Sequence, residues 1–269
     1  MARTIVVVPV YNESQTVLEV LDAVQPFVDD LLVVDDGSRD STRQLLIEYA
    51  KTHAALFFVS HVTNGGMAGA VLTAFWLIAE ACERGTLGPD DIVVTMDGDG
   101  QHAAADIPRL IEPLGLGVAD LVLGRRSWDV YPWWKRVGNR GLSWWASCWS
   151  GVHYDDAECG FRALRVAVVV DVLPYLRPTQ YAVAQELAVV VPRRGWRVVN
   201  TVAVRVALYR PGTRWVHGIN NALAAVRAWD RVRRDRRIGQ QPTWKSLLVA
   251  GDSGVYQPRP DQKGSPRVF

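Results

Sequence analysis

The first 126 residues predict an α/β fold in which an open, mostly parallel sheet is flanked by helices. Two observations lead to this prediction. Short apolar runs rich in β-branched residues alternate five times with segments of helical periodicity, which is typical of a parallel sheet with helices on both faces. Polar residues and glycines follow each apolar run, at the edge where such sheets bind ligands.

The apolar runs and the helical segments can be assigned in order along the chain. Each predicted strand has four to six residues, and the first helical segment has Val17, Leu18, Leu21 and Val24 at helical spacing. The predicted strands are 4–8, 31–34, 56–60, 91–96 and 120–123. The predicted helices are 14–24, 40–52, 70–83 and 105–114.

Length and composition limit the classes of function. A chain of 269 residues can bury a sizeable core, and its net charge of +2 does not indicate a nucleic-acid-binding protein. The three cysteines, Cys82, Cys148 and Cys159, are scattered and are expected to be reduced thiols of a cytosolic protein. Residues 1–8 are too short for a signal peptide, and the absence of about 18 consecutive apolar residues predicts no transmembrane helix.

The fourth predicted strand ends in two aspartates, Asp97 and Asp99, separated by one glycine. Glycine permits a sharp turn, so both carboxylates can point into the crevice at the end of the strand. Two carboxylates held this close repel each other unless a cation lies between them. Oxygen ligands such as Asp97, Asp99 and the Gln101 carbonyl suit Mg²⁺ or Mn²⁺, which can bridge to substrate phosphates. A solvated Asp-Gly turn is the alternative.

The segment after the first strand carries candidate nucleotide-binding residues. Pro9 would fix the shape of the loop, and Tyr11 offers a stacking face. Glu13 could hold a ribose hydroxyl, or it could be only an acidic residue favoured in the first turn of a helix.

The ends of the second and third strands carry further candidates. Asp35 could accept a hydrogen bond from a nucleobase or a ribose, whereas Asp36 could be only a turn residue. The loop 64–69 fits neither the spacing of a P-loop nor a dinucleotide-binding GxGxxG pattern, which argues against ATP hydrolysis and against a dinucleotide site.

Four separated segments, in their order and spacing, resemble GT-A-type glycosyltransferases of family 2. The closest resemblance is to the branch that transfers mannose or glucose to dolichol phosphate or other polyprenyl phosphates. The segments are Pro9-Val10-Tyr11-Asn12-Glu13, Asp35-Asp36-Gly37-Ser38, the run from Asn64 to Ala70, and Asp97-Gly98-Asp99-Gly100-Gln101. The resemblance extends over roughly residues 3–215.

The resemblance implies a GT-A fold in which residues 1–126 bind a nucleoside-diphosphate sugar such as GDP-mannose or UDP-glucose. The implied nucleotide contacts are Pro9, Tyr11, Glu13, Asp35, Asn64 and Asp97. Asp97, Asp99 and Gln101 would hold Mg²⁺ or Mn²⁺ on the diphosphate.

Residues 127–238 are expected to form an acceptor-binding half. Six of the eleven tryptophans lie between Trp128 and Trp149, interleaved with basic residues. Tryptophan has an apolar body and a polar tip and is enriched in the headgroup layer of membranes, so part of this cluster is predicted to contact a membrane surface. By the resemblance, Arg126, Lys135 and Asn139 bind the acceptor phosphate, although each could be only a surface residue.

Two later segments also resemble the family. Asp156-Ala157-Glu158-Cys159-Gly160-Phe161-Arg162 matches an Asp-x-x-Ser-Gly-Phe-Arg segment with cysteine in place of serine, and Asp156 could border the sugar or stabilise the loop. Glu186 matches a family glutamate and has an equally credible structural role. A strand-like run at 198–208 leads to a shortened version of a family loop, in which Arg210 or Arg214 would neutralise the leaving diphosphate.

The C-terminal part of the chain is predicted to contain a helix at 215–238 and a disordered tail at 239–269. The helix ends in a run of five arginines between Arg231 and Arg237. Such a charge run is expected to be a solvated face, with attraction to anionic lipid as the alternative.

Together with these features, the resemblance implies a metal-dependent, inverting hexosyltransferase acting on a polyprenyl phosphate, peripherally bound to the cytoplasmic face of a membrane. A phosphate monoester has its second pKa near ~6 and is already a nucleophile at pH 7, so no strong general base is needed. His102 is accordingly expected to be a loop histidine with satisfied hydrogen bonds. The alternatives are transfer to a hydroxyl group, with Asp156 as the candidate base, and nucleotide-sugar binding without turnover.

Overall fold

The computed structural model describes residues 2–127, 131–179, 181–206 and 215–234. Seven strands form one mixed sheet with the order β3-β2-β1-β4-β6-β5-β7. The strands are β1 (Thr4–Val10), β2 (Asp30–Asp35), β3 (Leu56–Ser60), β4 (Ile92–Thr95), β5 (Leu121–Arg126), β6 (Arg162–Arg165) and β7 (Val198–Val204). The predicted tail, 239–269, lies outside the described residues.

Helices cover both faces of the sheet. They are α1 (Val17–Val24), α2 (Thr42–Ala50), α3 (Gly66–Glu83), α4 (Ile107–Gly115), α5 (Trp133–Ser150), α6 (Val166–Val172), α7 (Val183–Arg193) and α8 (Trp215–Arg233). Successive strand residues point to opposite faces, so Ile5 and Val7 enter the core under α3, α6 and α7, whereas Val6 and Val8 enter the core under α1, α2 and α4.

The predicted fold class is confirmed, because the five predicted strands and four predicted helices of the first 126 residues are present with small displacements of their ends. The sequence analysis missed β6, which lies between β4 and β5 and is antiparallel to both. Since β6 runs in the opposite direction, its first residues lie at the carboxyl ends of its neighbours. The segment before β6 therefore reaches the edge of the sheet where ligands bind.

Helix α3 is the one described helix that is long and apolar enough to cross a membrane by length and composition. Two thirds of its apolar window (67%) is buried inside the protein, and its side chains join the core against β1, β2 and α6. Burial of this kind is typical of the core helix of a globular domain.

The expectation that the basic run at the end of α8 is only a solvated face is wrong for Arg231. Its side chain is 14% exposed and forms an ion pair with Glu186, which is 1% exposed. Arg231 Nε also donates to the carbonyl oxygen of Tyr175 at 2.7 Å, and the Glu186 carboxylate accepts the backbone N–H of Arg177 at 2.7 Å. This cluster attaches the end of α8 to the start of α7.

Replacing Arg231 with methionine should lower the free energy of unfolding by about 3–5 kcal/mol, because a buried carboxylate loses its ion-pair partner. Urea unfolding measures this loss. The matched control is Arg234→Met, which removes the exposed ion pair with Asp230 and should cost about 1 kcal/mol or less. Equal effects of the two substitutions would contradict a structural role for the Arg231–Glu186 pair.

Candidate functional site

A cavity of about 500 Å³ opens at the carboxyl ends of β1, β2 and β4 and at the start of β6. This is the edge at which open α/β sheets bind ligands. Ten of the residues predicted from the sequence line the cavity: Pro9, Tyr11, Glu13, Asn64, Asp97, Asp99, Gln101, Arg126, Lys135 and Asn139. The structure thus brings residues predicted for the nucleotide, the metal and the acceptor into one space. Their individual roles stay predictions.

Asp97 and Asp99 lie in the turn that follows β4. Gly98 is required there, because a Cβ atom at this position would lie 2.5 Å from a methyl group of Val10. The Asp99 carboxylate accepts the backbone N–H of Gln101 at 3.0 Å and also accepts the side-chain amide of Gln101. Gln101 therefore orients Asp99, and metal ligation by Gln101 stays a prediction.

The Asp97 carboxylate lies in a positive environment. Burial raises the pKa of Asp97, but the nearby His102 and the charges of Arg126 and Arg162 outweigh burial, so the pKa is below its ordinary value. His102 Nε2 is 3.7 Å from an Asp97 oxygen. His102 Nδ1 is buried without a hydrogen-bond partner in the described part of the chain, so the expectation of a fully satisfied histidine is wrong for this atom.

The two aspartates fit a hard divalent cation. Both carboxylates line the same cavity, and within the described ranges Asp99 has no basic side chain within 4.0 Å. Mg²⁺ is commonly bound by one or two carboxylates, with substrate phosphates and water completing its oxygen ligands. A larger cluster of histidine, cysteine and acidic side chains is not found among the described residues, and this mode of binding does not need one.

The two acidic residues at the end of β2 differ in their contacts. Asp36, for which the sequence offered only the role of a turn residue, lines the cavity and accepts hydrogen bonds from the backbone N–H groups of Gly65 and Gly66, both at 2.8 Å. Asp36 also contacts His61 Nδ1 at 2.7 Å. The Asp35 carboxylate accepts the backbone N–H of Ser38 at 3.0 Å and is not in the cavity wall. Nucleobase binding by Asp35 stays a prediction.

Asp156 is buried beside the cavity instead of lining it. Both of its oxygens are held by Arg126, with Nε to Oδ2 at 2.7 Å and Nη2 to Oδ1 at 2.8 Å. This bidentate pair leaves the Arg126 guanidinium in the cavity wall in a fixed orientation. Of the three roles considered for Asp156, the structure supports stabilisation of the loop and gives no support to a general base, and contact with the sugar stays a prediction.

The cavity wall near Arg126 carries a second cation, Lys135. Burial, followed by the charge of Arg126, lowers the pKa of Lys135. Lys135 Nζ also lies 5.4 Å from the ring centre of Trp134. Arg210 and Arg214, predicted to contact the diphosphate, lie outside the described residues.

Sequence reasoning missed Glu158 and Arg162, which also line the cavity. Arg162 is buried and donates to the carbonyl oxygens of Ala157, Cys159 and Ala184 at 2.6–2.9 Å. Glu158 occupies an unspecified position of the family segment, so the motif gave no signal for it. Glu186, which the motif did single out, is part of the structural cluster with Arg231 and is not in the cavity wall.

A mixed sheet with a ligand cavity and paired aspartates at the carboxyl end of a central strand is the arrangement expected of a glycosyltransferase with the GT-A fold. The glycosyl transferase family 2 model matches residues 5–154, and the chain belongs to this family. The predicted family and enzyme class are therefore confirmed.

Two relatives carry names that describe transfer to a polyprenyl-type phosphate. The UDP-N-acetylglucosamine–dolichyl-phosphate N-acetylglucosaminyltransferase of Methanococcus voltae is 29% identical over 202 residues, which is 68% of this chain and 78% of that protein. The polyprenol monophosphomannose synthase of Mycolicibacterium smegmatis is 33% identical over 177 residues, which is 61% of this chain and 63% of that protein.

A solved structure supports the same fold. The glucosyl-3-phosphoglycerate synthase of Mycobacterium tuberculosis, crystallised with Mn²⁺, UDP and glucosyl-3-phosphoglycerate, is similar to this chain with a TM-score of 0.60. The match covers 86% of this chain and 80% of that chain at 21% identity. At this identity the similarity supports the fold alone.

Replacing Asp36 with alanine should lower the free energy of unfolding by about 3 kcal/mol or more, because two backbone N–H groups and His61 lose a charged acceptor. Chemical unfolding measures the change. The control Asp155→Ala removes an exposed carboxylate whose nearest cationic atoms are 3.4 and 3.6 Å away, and it should cost less than about 1 kcal/mol. A loss that small for Asp36→Ala would exclude Asp36 as the anchor of the 64–66 loop.

Proposed function

We propose that this enzyme transfers a hexose, with inversion, from a nucleoside-diphosphate sugar to a polyprenyl phosphate. The observation that carries the proposal is that one cavity joins the paired carboxylates Asp97 and Asp99 to the cations Arg126 and Lys135. The first pair suits a metal-bound diphosphate, and the second suits a phosphate monoester. The names of the two relatives support the same class of acceptor.

The donor nucleotide would lie along the end of β1. Pro9, Tyr11 and Glu13 line this part of the cavity, and the Glu13 carboxylate accepts the hydroxyl of Thr16 at 2.7 Å. Tyr11 is partly exposed, so its ring is accessible for stacking on a base. One relative is named for a UDP sugar and the other for mannose transfer, so UDP-N-acetylglucosamine, UDP-glucose and GDP-mannose are the donors to compare.

Asp97 and Asp99 would hold Mg²⁺ or Mn²⁺, which supplies charge neutralisation for the departing diphosphate. Gln101 keeps Asp99 in place through its two N–H donors. We assign additional neutralisation to an arginine of the 210–214 loop, as the family resemblance implies.

The acceptor phosphate would be held by Arg126 and Lys135, with Asn139 on the next turn of α5. A phosphate monoester is mostly dianionic at pH 7 and attacks without a strong general base. Transfer to a hydroxyl would need such a base. Asp156 is unsuited to that role because Arg126 occupies both of its oxygens.

Replacing Asp99 with asparagine should lower metal-dependent turnover by about 100-fold or more, because the metal loses a charged ligand. The unfolding midpoint should stay within about a degree of that of the parent protein. Transfer from labelled donors to polyprenyl phosphate, with and without chelator, measures this loss. Asp155→Asn is the matched control and should keep full activity. Full activity of Asp99→Asn, or activity that chelator leaves unchanged, would contradict the metal role.

We also propose that α5 and α8 contact a membrane surface. Trp133, Val137 and Trp144 share one face of α5 and are 75%, 62% and 64% exposed, and Ile219 and Leu223 are exposed on α8. The two helices are neighbours, since Trp145 Nε1 donates to the carbonyl of Ala222 at 2.9 Å. Apolar and basic side chains on one surface favour the headgroup layer of a bilayer.

The orientation of α5 fits a lipid acceptor. At 100° per residue, Lys135 and Asn139 lie on the side of α5 opposite to Trp133 and Trp144. One side of the helix therefore lines the cavity while the other would contact lipid. A phosphate attached to a lipid at the membrane would therefore be separated from Lys135 only by the width of α5.

The double substitution Trp133→Ser with Trp144→Ser should weaken sedimentation with liposomes containing anionic lipid by about tenfold or more, because two large apolar side chains no longer leave water. The control is Leu116→Ser, a change of an apolar side chain that is 71% exposed elsewhere on the surface. Unchanged sedimentation of the double variant would exclude this face as the membrane contact.

A further inference from the structure

The proposed chemistry leaves one carboxylate of the cavity wall without a role. Glu158 is half-buried and lies in the loop that precedes β6. Its Oε1 accepts the Gln185 amide at 2.6 Å, and its Oε2 accepts the Asn221 amide at 2.9 Å. Because these amides come from α7 and α8, two separate helices fix the orientation of one side chain.

Both donors to Glu158 are neutral, and no basic side-chain nitrogen of the described residues lies within 4.0 Å of its carboxylate, so only the more distant charges of Arg162 and Arg126 favour its ionised form. The neighbouring Arg162 is occupied by three backbone carbonyls. Burial raises the pKa of Glu158, although the amide hydrogen bonds and the charges of Arg162 and Arg126 oppose the shift. Holding a carboxylate in this setting is costly, so a structural role alone explains it poorly.

Glu158 keeps unused acceptor capacity. A carboxylate offers about four lone-pair positions, and the two amides use two of them. Since the side chain lines the cavity, the remaining positions are available to a ligand that donates hydrogen bonds.

We propose that Glu158 accepts a hydrogen bond from a hydroxyl group of the transferred sugar and is a specificity-determining residue for the donor. This inference rests on the proposed function. The donor diphosphate and the acceptor phosphate are both anions, which a carboxylate repels. The sugar is neutral and rich in O–H donors, so it is the part of the substrates that suits Glu158. The Gln185 and Asn221 amides hold the carboxylate in position before the sugar arrives.

The test compares binding of a nucleoside diphosphate with binding of its sugar conjugate. Calorimetry in Mn²⁺ uses the pairs UDP with UDP-N-acetylglucosamine, UDP with UDP-glucose, and GDP with GDP-mannose. Glu158→Gln should bind the diphosphate as the parent does but bind the sugar conjugate about tenfold more weakly or worse, because a hydrogen bond to a charged group is lost. Asp155→Asn, the same chemical change at an exposed site three residues away, should match the parent in both measurements.

In Glu158→Gln the new side-chain NH2 group would face the Asn221 NH2 group, and two facing donors could prevent folding. A second variant is therefore included. Glu158→Asp keeps the charge and withdraws the oxygens by one methylene, so it should show the same selective loss of sugar binding. Equal binding of the sugar conjugate by parent and variants would overturn the inference while leaving the proposed function intact. A fall in kcat with unchanged donor binding would also overturn it, because that result indicates a general base. No binding of any donor by the parent protein would refute both proposals.

Discussion

The antiparallel pairing of β6 between β4 and β5 is the constraint on which the site depends. Thr95 pairs with Arg162, and the Thr95 hydroxyl donates to the Gly160 carbonyl at 2.7 Å. This pairing brings the loop before β6 against the turn after β4. Gly160 lies so close to Asp97 that a Cβ atom there would be 3.1 Å from both carboxylate oxygens. A parallel strand in the same place would carry that loop to the opposite edge of the sheet.

The cavity is organised by charge. Carboxylates lie in the turn after β4, and cations lie at the end of β5 and the start of α5. Two anionic substrates can meet in such a space only if each negative group faces opposite charge, because like charges at short range in a partly desolvated site repel strongly. The bidentate Asp156–Arg126 pair fixes one cation, and the paired amides fix Glu158. A cation and a carboxylate of the cavity wall are therefore both held in position by side chains that lie outside the cavity.

The sequence by itself determined the order of strands and helices in the first half of the chain and the place of the paired aspartates. These are local properties, since apolar periodicity sets the element type and the end of a strand sets the position of the residues that follow it. The family segments gave seven of the ten predicted residues that the structure brings to the cavity, and the wider resemblance gave Arg126, Lys135 and Asn139. Sequence reasoning worked where a side chain's role follows from its immediate neighbours along the chain.

Tertiary structure alone decided which ionisable groups face the cavity and which form buried ion pairs or hydrogen bonds that join separate segments of the chain. Asp36 and Asp35 are adjacent in sequence, yet only Asp36 meets the 64–66 loop, because β2 ends between them. In the sequence, Arg231 is one charge of a run that is expected to be solvated. In the structure it pairs with the buried Glu186, which lies 45 residues earlier in the chain. The two amides that hold the Glu158 carboxylate come from α7 and α8. Such pairings depend on contacts between residues far apart in the chain, which no local pattern encodes.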